Sequence, residues 1–508
     1  AFELADGFVI ELVASEENGV INPIDLTFDD AGRLWTQTAR MYPLDPVTGI
    51  NFGQAMEMMQ DPDLVKNDPR FQKIHRLYTL QDRGDDEILI IDQPQQKVEG
   101  KIHVWADGLA IPQSVMPYKD GCFVAHGSEL FFLSDSNGDG KQDKMTPVLS
   151  GFGFFDTHTM AHSMVRGPGG WMNFSHGAIN SGNVKAVKSG KEVNITYSKN
   201  ARFSLDGMDL EIINCHRDNN WGYQVLANGQ WYATSANDGG YSILPAERFS
   251  SIKGLGAENI RPYAPFFPGI HKFRVGASGI SGLAFSEDGE NGLPAEWENV
   301  AILANPITQS LNSVRIVRNA DGSVTAEHLA DLLKCKDEWF RPVNIEFGPD
   351  GCLYIADWYN KIVSHNEVST DHPDRDRKHG RIWRVRHKSQ KPFPIANVAK
   401  AKNSELISHL TAGKTIWEKR AAWHQIVDRQ AKELAPRLKE IILDQGAPKD
   451  SRILALWSFE ELGEFDKAVI EKAMADADGD LRREAIRSLA SFKPSVQEVA
   501  ELVAPYVE

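Results

Sequence analysis

The chain holds only four cysteines in 508 residues, and Cys122, Cys215, Cys335 and Cys352 lie far apart. No Cys-x-x-Cys pair occurs, which excludes a zinc ribbon and a c-type haem attachment site from these residues. Cys122 and Cys352 occupy matching places in two hairpin patterns and read as small buried hydrophobes. Basic side chains are outnumbered, 55 Lys and Arg against 70 Asp and Glu, so a nucleic-acid partner is not expected. No apolar run is long enough to span a bilayer as a helix. The start, Ala1-Phe2, shows no signal-peptide pattern, so the chain reads as an exported product with its signal removed.

What is present is β-hairpin patterning. In the segment from Phe340 to Tyr359, Ile345 and Phe347 alternate with polar residues, Gly348-Pro349-Asp350-Gly351 supplies a turn, and Leu353-Tyr354-Ile355 follows as an apolar run. Weaker copies begin at Asp30, Lys119, Gly167, Ala227 and Ser286, each in the order polar, turn, apolar. With the opening segment they make about six units, the later ones roughly 50 to 60 residues apart, which is the length of a propeller blade with its loops. The expected fold is mainly β, a β-propeller of six blades, or seven. Residues 42–78 form an insert read as a loop excursion. Pairing Phe8-Val9-Ile10 with Arg381-Ile382-Trp383 in one blade would close the ring and remove an open edge.

A chain of this length holds two or three domains. After about residue 400 helical periodicity replaces strand patterning. Ser404 and Asp480 are expected helix caps, and Pro436 is tolerable only near a helix start. Ser451 to Leu456 and Leu481 to Leu489 look like one element repeated, as in a HEAT-type α-solenoid. The expected division is a propeller over residues 1–387, a linker over 388–402 and a solenoid over 403–508.

Four constellations carry chemistry. In the turn Asp135–Asp143, the oxygens of Asp135, Asn137, Asp139 and Asp143 fall at positions one, three, five and nine around Gly140, a calcium-loop spacing, although position twelve is Thr146 rather than Glu. A hairpin turn without metal is the alternative. His158 and His162, followed by His176, lie beside a strand entry, where a histidine near neutrality acts as a general base or binds metal. The run Asn214 to Gly222 offers Arg217 as a fork for a carboxylate at a ligand mouth, or else forms a solvated loop. The charges from Asp371 to His379, downstream of Asp357 and His365, alternate as in mutual ion pairing.

Taken in this order, the constellations resemble the membrane-bound dehydrogenase propeller family of Planctomycetes, Verrucomicrobia and Bacteroidetes. These are relatives of the soluble glucose and sorbosone dehydrogenases that use pyrroloquinoline quinone (PQQ). The resemblance covers roughly residues 5–387 and implies PQQ and calcium as cofactors. It casts His162 as the base, with His158 beside it and Arg217 near the quinone oxygens. Arg341 would hold a cofactor carboxylate. The pocket would include Asn219, Asn220 and Trp339, where the glucose enzymes carry other residues. It implies a small sugar or polysaccharide-derived substrate, a c-type cytochrome as electron acceptor, and a periplasmic or extracellular setting. Two alternatives stand beside this quinoprotein oxidation of a sugar or alcohol. One is a propeller-type carbohydrate lyase or hydrolase without a redox cofactor. The other is a non-catalytic scaffold that binds carbohydrate or protein.

Overall fold

The computed structural model of the chain describes residues 1–48, 54, 57–58, 61, 64–96, 102–215, 219–237, 243–245, 270–271, 273–276, 278–319, 323–365, 367–492 and 495–506. Among the described residues the strands form six antiparallel sheets in a propeller-like arrangement. Five hold at least four strands and make full blades; the fourth, Asn220–Val225 with Trp231–Ser235 and Ile243–Pro245, shows three among the described residues. The first strands of the six sheets adjoin in a ring: Leu26–Phe28, Ser114–Tyr118, His162–Gly167, Asn220–Val225, Leu283–Phe285 and Pro342–Phe347, which lies again beside Leu26–Phe28.

Each turn pattern in the sequence falls between the first and second strands of one sheet. The second strands are apolar on both faces because sheets pack on either side of them. Gly121–His126, Val300–Asn305 and Leu353–Asp357 are buried throughout. Gly351, at a φ of 69°, bends the turn before Leu353 as an L-residue rarely does. The ring closes as the pattern suggested. Phe8–Ser15 pairs antiparallel with Arg381–His387, so the first and last parts of the propeller chain share a blade. Phe2–Leu4 makes a second tie, to Leu333–Cys335 of the fifth sheet.

The insert after Gln37 is more than a loop. Asp68 caps a helix, Pro69–Tyr78, by accepting the Arg70 N–H, and Pro69 fits the first turn. Its apolar stripe of Phe71, Ile74, Leu77 and Tyr78 packs on Phe154, Phe155 and Met160.

From Asn403 onward the chain is helical. Ile416–Asp428, Lys449–Glu461 and Gly479–Ser488 form an inner layer, and Asn403–Ala412, Ala435–Leu443 and Lys467–Met474 pack behind it as the outer halves of helical hairpins. Pro436 sits in the first turn of its helix. The caps differ from expectation. Asp478 rather than Asp480 accepts the first N–H groups of Gly479–Ser488, leaving Asp480 to pair with Arg318 and Lys449. Lys402, not Ser404, stands at the cap position of the first helix.

The inner layer docks on the face of the propeller that carries the Asp-Gly turns. His424 Nδ1 meets Asp30 at 3.0 Å, the Ile416 N–H donates to Asp288 at 2.6 Å, and Arg483 donates to the Asn228 carbonyl. Arg166 forms a bidentate pair with Asp428 at 2.8 and 2.9 Å. One face of the ring is therefore covered by helices, and the loops that enter the first strands open on the other. Among the described residues no helix is long and apolar enough to cross a membrane.

Candidate functional site

Three loops meet on the face opposite the helices. The first follows Leu34–Gln37 and carries Tyr42 and Asp45. The second, between the second and third sheets, carries Asp156 and His158. The third, between Leu353–Asp357 and Arg381–His387, carries His365. Local chemistry fixes each one. Asp156 Oδ1 accepts the His158 N–H at 2.7 Å and so starts the short turn Thr157–Thr159. Asp45 Oδ1 accepts the Thr157 N–H at 2.7 Å, and the Leu44 N–H donates to Thr157 Oγ1 at 3.0 Å, which locks the first loop to the second. Arg375 clamps the third loop by donating to the carbonyls of Ser364, His365, Val368 and Ser369.

Together they wall a cavity of ≈ 70 Å³ lined by Tyr42, His158, Trp221, Trp358, Ile24 and Val363. Tyr42 Oη and His158 Nδ1 lie 3.1 Å apart. Burial, then the neighbouring histidines, hold His158 well below the usual histidine range, so its imidazole is neutral. Burial and the charges of Asp45 and Asp156 push the Tyr42 phenol well above its usual range, so it keeps its proton. A protonated phenol therefore faces a neutral imidazole. Trp221 packs edge-on against His158 at 4.9 Å between ring centres, and Trp358 against Tyr42 at 5.2 Å.

Beside this pair, Asp45, Asp156 and His365 each turn one ligand-type atom toward a common point, all within 4.8 Å of one another. Burial drives both carboxyls up to about 7. Among the described residues this is the only such group of three or more His, Cys, Asp or Glu.

The residues singled out in the sequence fare differently. His162 is 1% exposed, and both its ring nitrogens meet carbonyls, Met160 O at 2.7 Å and Asn220 O at 3.0 Å. Burial lowers it to about 4. With neither nitrogen turned to the cavity, it ties two sheets together. His158, four positions earlier on the rim, has the geometry instead. Arg341 is also spent: Nε donates to Asn360 O at 2.8 Å, Nη1 to Pro306 O at 2.9 Å and Nη2 to Lys361 O at 3.2 Å. Its fork staples loops and offers no free edge to a carboxylate.

Arg217 lies outside the described residues. Asn219 Oδ1 accepts the Ala178 N–H at 3.2 Å, and Asn220 Nδ2 donates to Lys199 O at 3.3 Å, so both hold backbone. Trp339 stacks on Tyr359. In the turn Asp135–Asp143 the carboxylates do not converge. Asp135 accepts the N–H groups of Gly138, Asp139 and Gly140, Asn137 accepts that of Asp139, Asp139 that of Lys141, and Asp143 binds Ser136. The turn closes on itself, and the calcium geometry read from its spacing is absent.

Sequence reasoning missed Tyr42 and Asp45, which sit inside the insert, and placed His365 in an ion-paired loop. The one local signal was Asp156 directly before Thr157-His158.

A family model described as Domain of unknown function (DUF7133) matches residues 1–389. A search of curated proteins found no match. Among solved structures the chain is similar to an oxidoreductase (glucose dehydrogenase) from Thermus thermophilus, at 12% identity and a TM-score of 0.46, over 75% of this chain and 100% of that one. It is also similar to the pyranose dehydrogenase PQQ domain from Coprinopsis cinerea, at 13% and 0.43, over 76% and 97%. A third is the PQQ-bound aldose sugar dehydrogenase from Streptomyces coelicolor, at 10% and 0.43, over 76% and 99%.

Proposed function

We propose that this chain, which belongs to the family described as Domain of unknown function (DUF7133), is an enzyme that abstracts a proton from a sugar-type substrate at the mouth around Tyr42 and His158. The observation that carries the reading is the pairing of a neutral imidazole with a protonated phenol, 3.1 Å apart, on the wall of a largely apolar cavity. Such a pair takes up a proton at one atom and returns one at another. Trp221 and Trp358 beside it supply flat apolar faces against which the C–H face of a sugar ring can pack.

Two chemistries of hydroxylated substrates use a base of this kind. Oxidation by PQQ, which the resemblance implies, needs fixed cations for the cofactor's three carboxylates. The described residues do not fit that group. Arg341 has its donors on backbone carbonyls, and Trp339 and Asn220 bring no charge.

Elimination asks less of a site. A proton next to a carboxylate passes to the base, the C–O bond one carbon further breaks, and the leaving oxygen receives a proton. Here His158 Nδ1, through Tyr42, accepts the first proton, and the phenol returns the second. The reading is a carbohydrate lyase without a redox cofactor. In the same reading the three-stranded fourth sheet is also a blade and completes a six-bladed ring, the stacked helical hairpins are HEAT-like repeats joined through residues 388–402, and the chain works outside the cytoplasm where polysaccharide fragments occur.

The test is a panel of uronate-containing polysaccharides with no electron acceptor, followed by the ultraviolet absorbance of the unsaturated product. Wild type should form product, and His158→Ala or Tyr42→Phe should lower turnover about a hundredfold or more. A parallel arm adds PQQ, calcium and a reducible dye over a sugar panel. Dye reduction without elimination would replace this reading with oxidation, and no turnover in either arm would leave a binding scaffold.

A further inference from the structure

We infer that Asp45, Asp156 and His365 bind one divalent cation of the zinc or manganese kind beside the mouth. The three residues come from three separate loops, yet His365 Nδ1 lies 3.2 Å from Asp156 Oδ1 and 3.8 Å from Asp45 Oδ2. These distances are close to the spacing of neighbouring ligands around one ion with bonds of about 2.0–2.2 Å.

The second observation is independent of the clustering. Both carboxylate side chains are fully buried, His365 is 14% exposed, and Asp45 Oδ2, Asp156 Oδ2 and His365 Nδ1 are buried atoms with no hydrogen-bond partner. Buried polar atoms are nearly always partnered, because leaving one bare forfeits its hydration for nothing. Asp45 Oδ2 and His365 Nδ1, both bare and 3.8 Å apart, call for a common partner, and Asp156 Oδ1 lies 3.2 Å from the same nitrogen. Backbone N–H groups orient both carboxylates, that of Thr157 on Asp45 Oδ1 and that of His158 on Asp156 Oδ1, as outer contacts orient metal ligands.

Charge argues the same way. Two carboxyls share the pocket, and Arg375, whose charge acts on Asp45, spends its donors on four backbone carbonyls. A dication would let both carboxyls ionise together. The donor set chooses its class. Calcium collects about six to eight oxygens, whereas one imidazole with two carboxylates suits zinc or manganese. Three protein ligands leave a place for a water or a substrate oxygen. His158 stands next to it, its ring centre 4.9 Å from that of His365.

The experiment is isothermal titration of the chelator-stripped full chain with Zn²⁺ and with Mn²⁺, and with Ca²⁺ for comparison. One Zn²⁺ or Mn²⁺ per chain is expected, bound more tightly than Ca²⁺. Asp156→Asn and His365→Gln should each weaken it about a hundredfold or more, while Asp139→Ala leaves it unchanged. Asn can keep the contact to the His158 N–H, and His365 sits on a rim loop, so at least the second variant should fold, as melting by circular dichroism would show. No saturable binding by wild type, equal affinity in both variants, or a preference for Ca²⁺ would overturn the assignment. Turnover is not read, so this outcome is separate from that of the lyase reading.

Discussion

Replacing Arg341 decides between a residue that binds a ligand and one that holds loops together. Its side chain is 6% exposed and donates to Asn360 O at 2.8 Å, Pro306 O at 2.9 Å and Lys361 O at 3.2 Å, while its own N–H donates to Asp357 Oδ1 at 2.9 Å. It thus joins the fifth sheet's loop, the entry to the sixth and the loop that leads to His365. A hydrogen bond from a charged donor contributes about 1.5–3 kcal/mol, and each buried carbonyl left bare costs about 1–3 kcal/mol. These terms overlap, because the freed carbonyls relax toward water near the rim. Arg341→Ala is therefore expected to lower stability by about 3–5 kcal/mol, and Arg341→Lys, which keeps one ammonium for the nearest carbonyls, by about 2 kcal/mol. The assay is urea unfolding followed by tryptophan fluorescence, with Trp339 and Trp358 close by. A loss below about 1 kcal/mol for Arg341→Ala would refute the staple. If the same variant also lost affinity for an anionic ligand, Arg341 would return to the binding role read from the sequence.

Two more predictions concern the covered face. Arg166 is 5% exposed between Asp428 and Glu461, so Arg166→Met should cost about 3–5 kcal/mol by stranding buried acids, and Arg166→Met with Asp428→Leu should recover much of it; additive losses in the double-mutant cycle would refute the pairing. Glu346 and Asp25 line a cavity of ≈ 150 Å³ between ring and helices, and burial pushes them up to about 8 and about 7. Their unfolded values are about 4.3 and 3.9, so the folded state keeps protons that the unfolded chain has released. The stability this gives is whole below about pH 4 and is lost as pH rises through the folded values, by up to about 1.4 kcal/mol per pH unit for each proton. Glu346→Gln should flatten the decline in melting temperature between about pH 5 and 8, and an unchanged slope would refute the assignment.

The architecture was legible because it is written in local chemistry. Gly348-Pro349-Asp350-Gly351 turns wherever it stands, and the apolar run after it needs a sheet on each side, so the order polar, turn, apolar marks a second strand at each of its occurrences. The pairing of Phe8–Ser15 with Arg381–His387 could be anticipated because an unpaired edge is costly, which is a global demand with few solutions. Helix caps were less legible, since Asp478 and Asp480 are equal candidates by residue type and the choice depends on Arg318, which is supplied by the propeller.

The site was not legible for the same physical reason. His158 and His162 look alike in sequence, but the carbonyl of Asn220 on the adjoining sheet takes one nitrogen of His162, and only His158 reaches the cavity. Arg341 looks like a carboxylate ligand until the carbonyls of Pro306 and Asn360 are brought to it. The acidic turn Asp135–Asp143 had the right spacing, yet its carboxylates are turned to the N–H groups of the turn itself. The bare oxygens of Asp45 and Asp156 are the converse case. Asp156 has one oxygen satisfied within its own turn and Asp45 one satisfied by the Thr157 N–H of the second loop, and each keeps one oxygen without a partner. A residue's type announces what it can bind. What remains unbound after folding bears on what a residue is for, and at Asp45, Asp156 and His365 such atoms gather in one place, as the acidic groups of the Asp135–Asp143 turn do not.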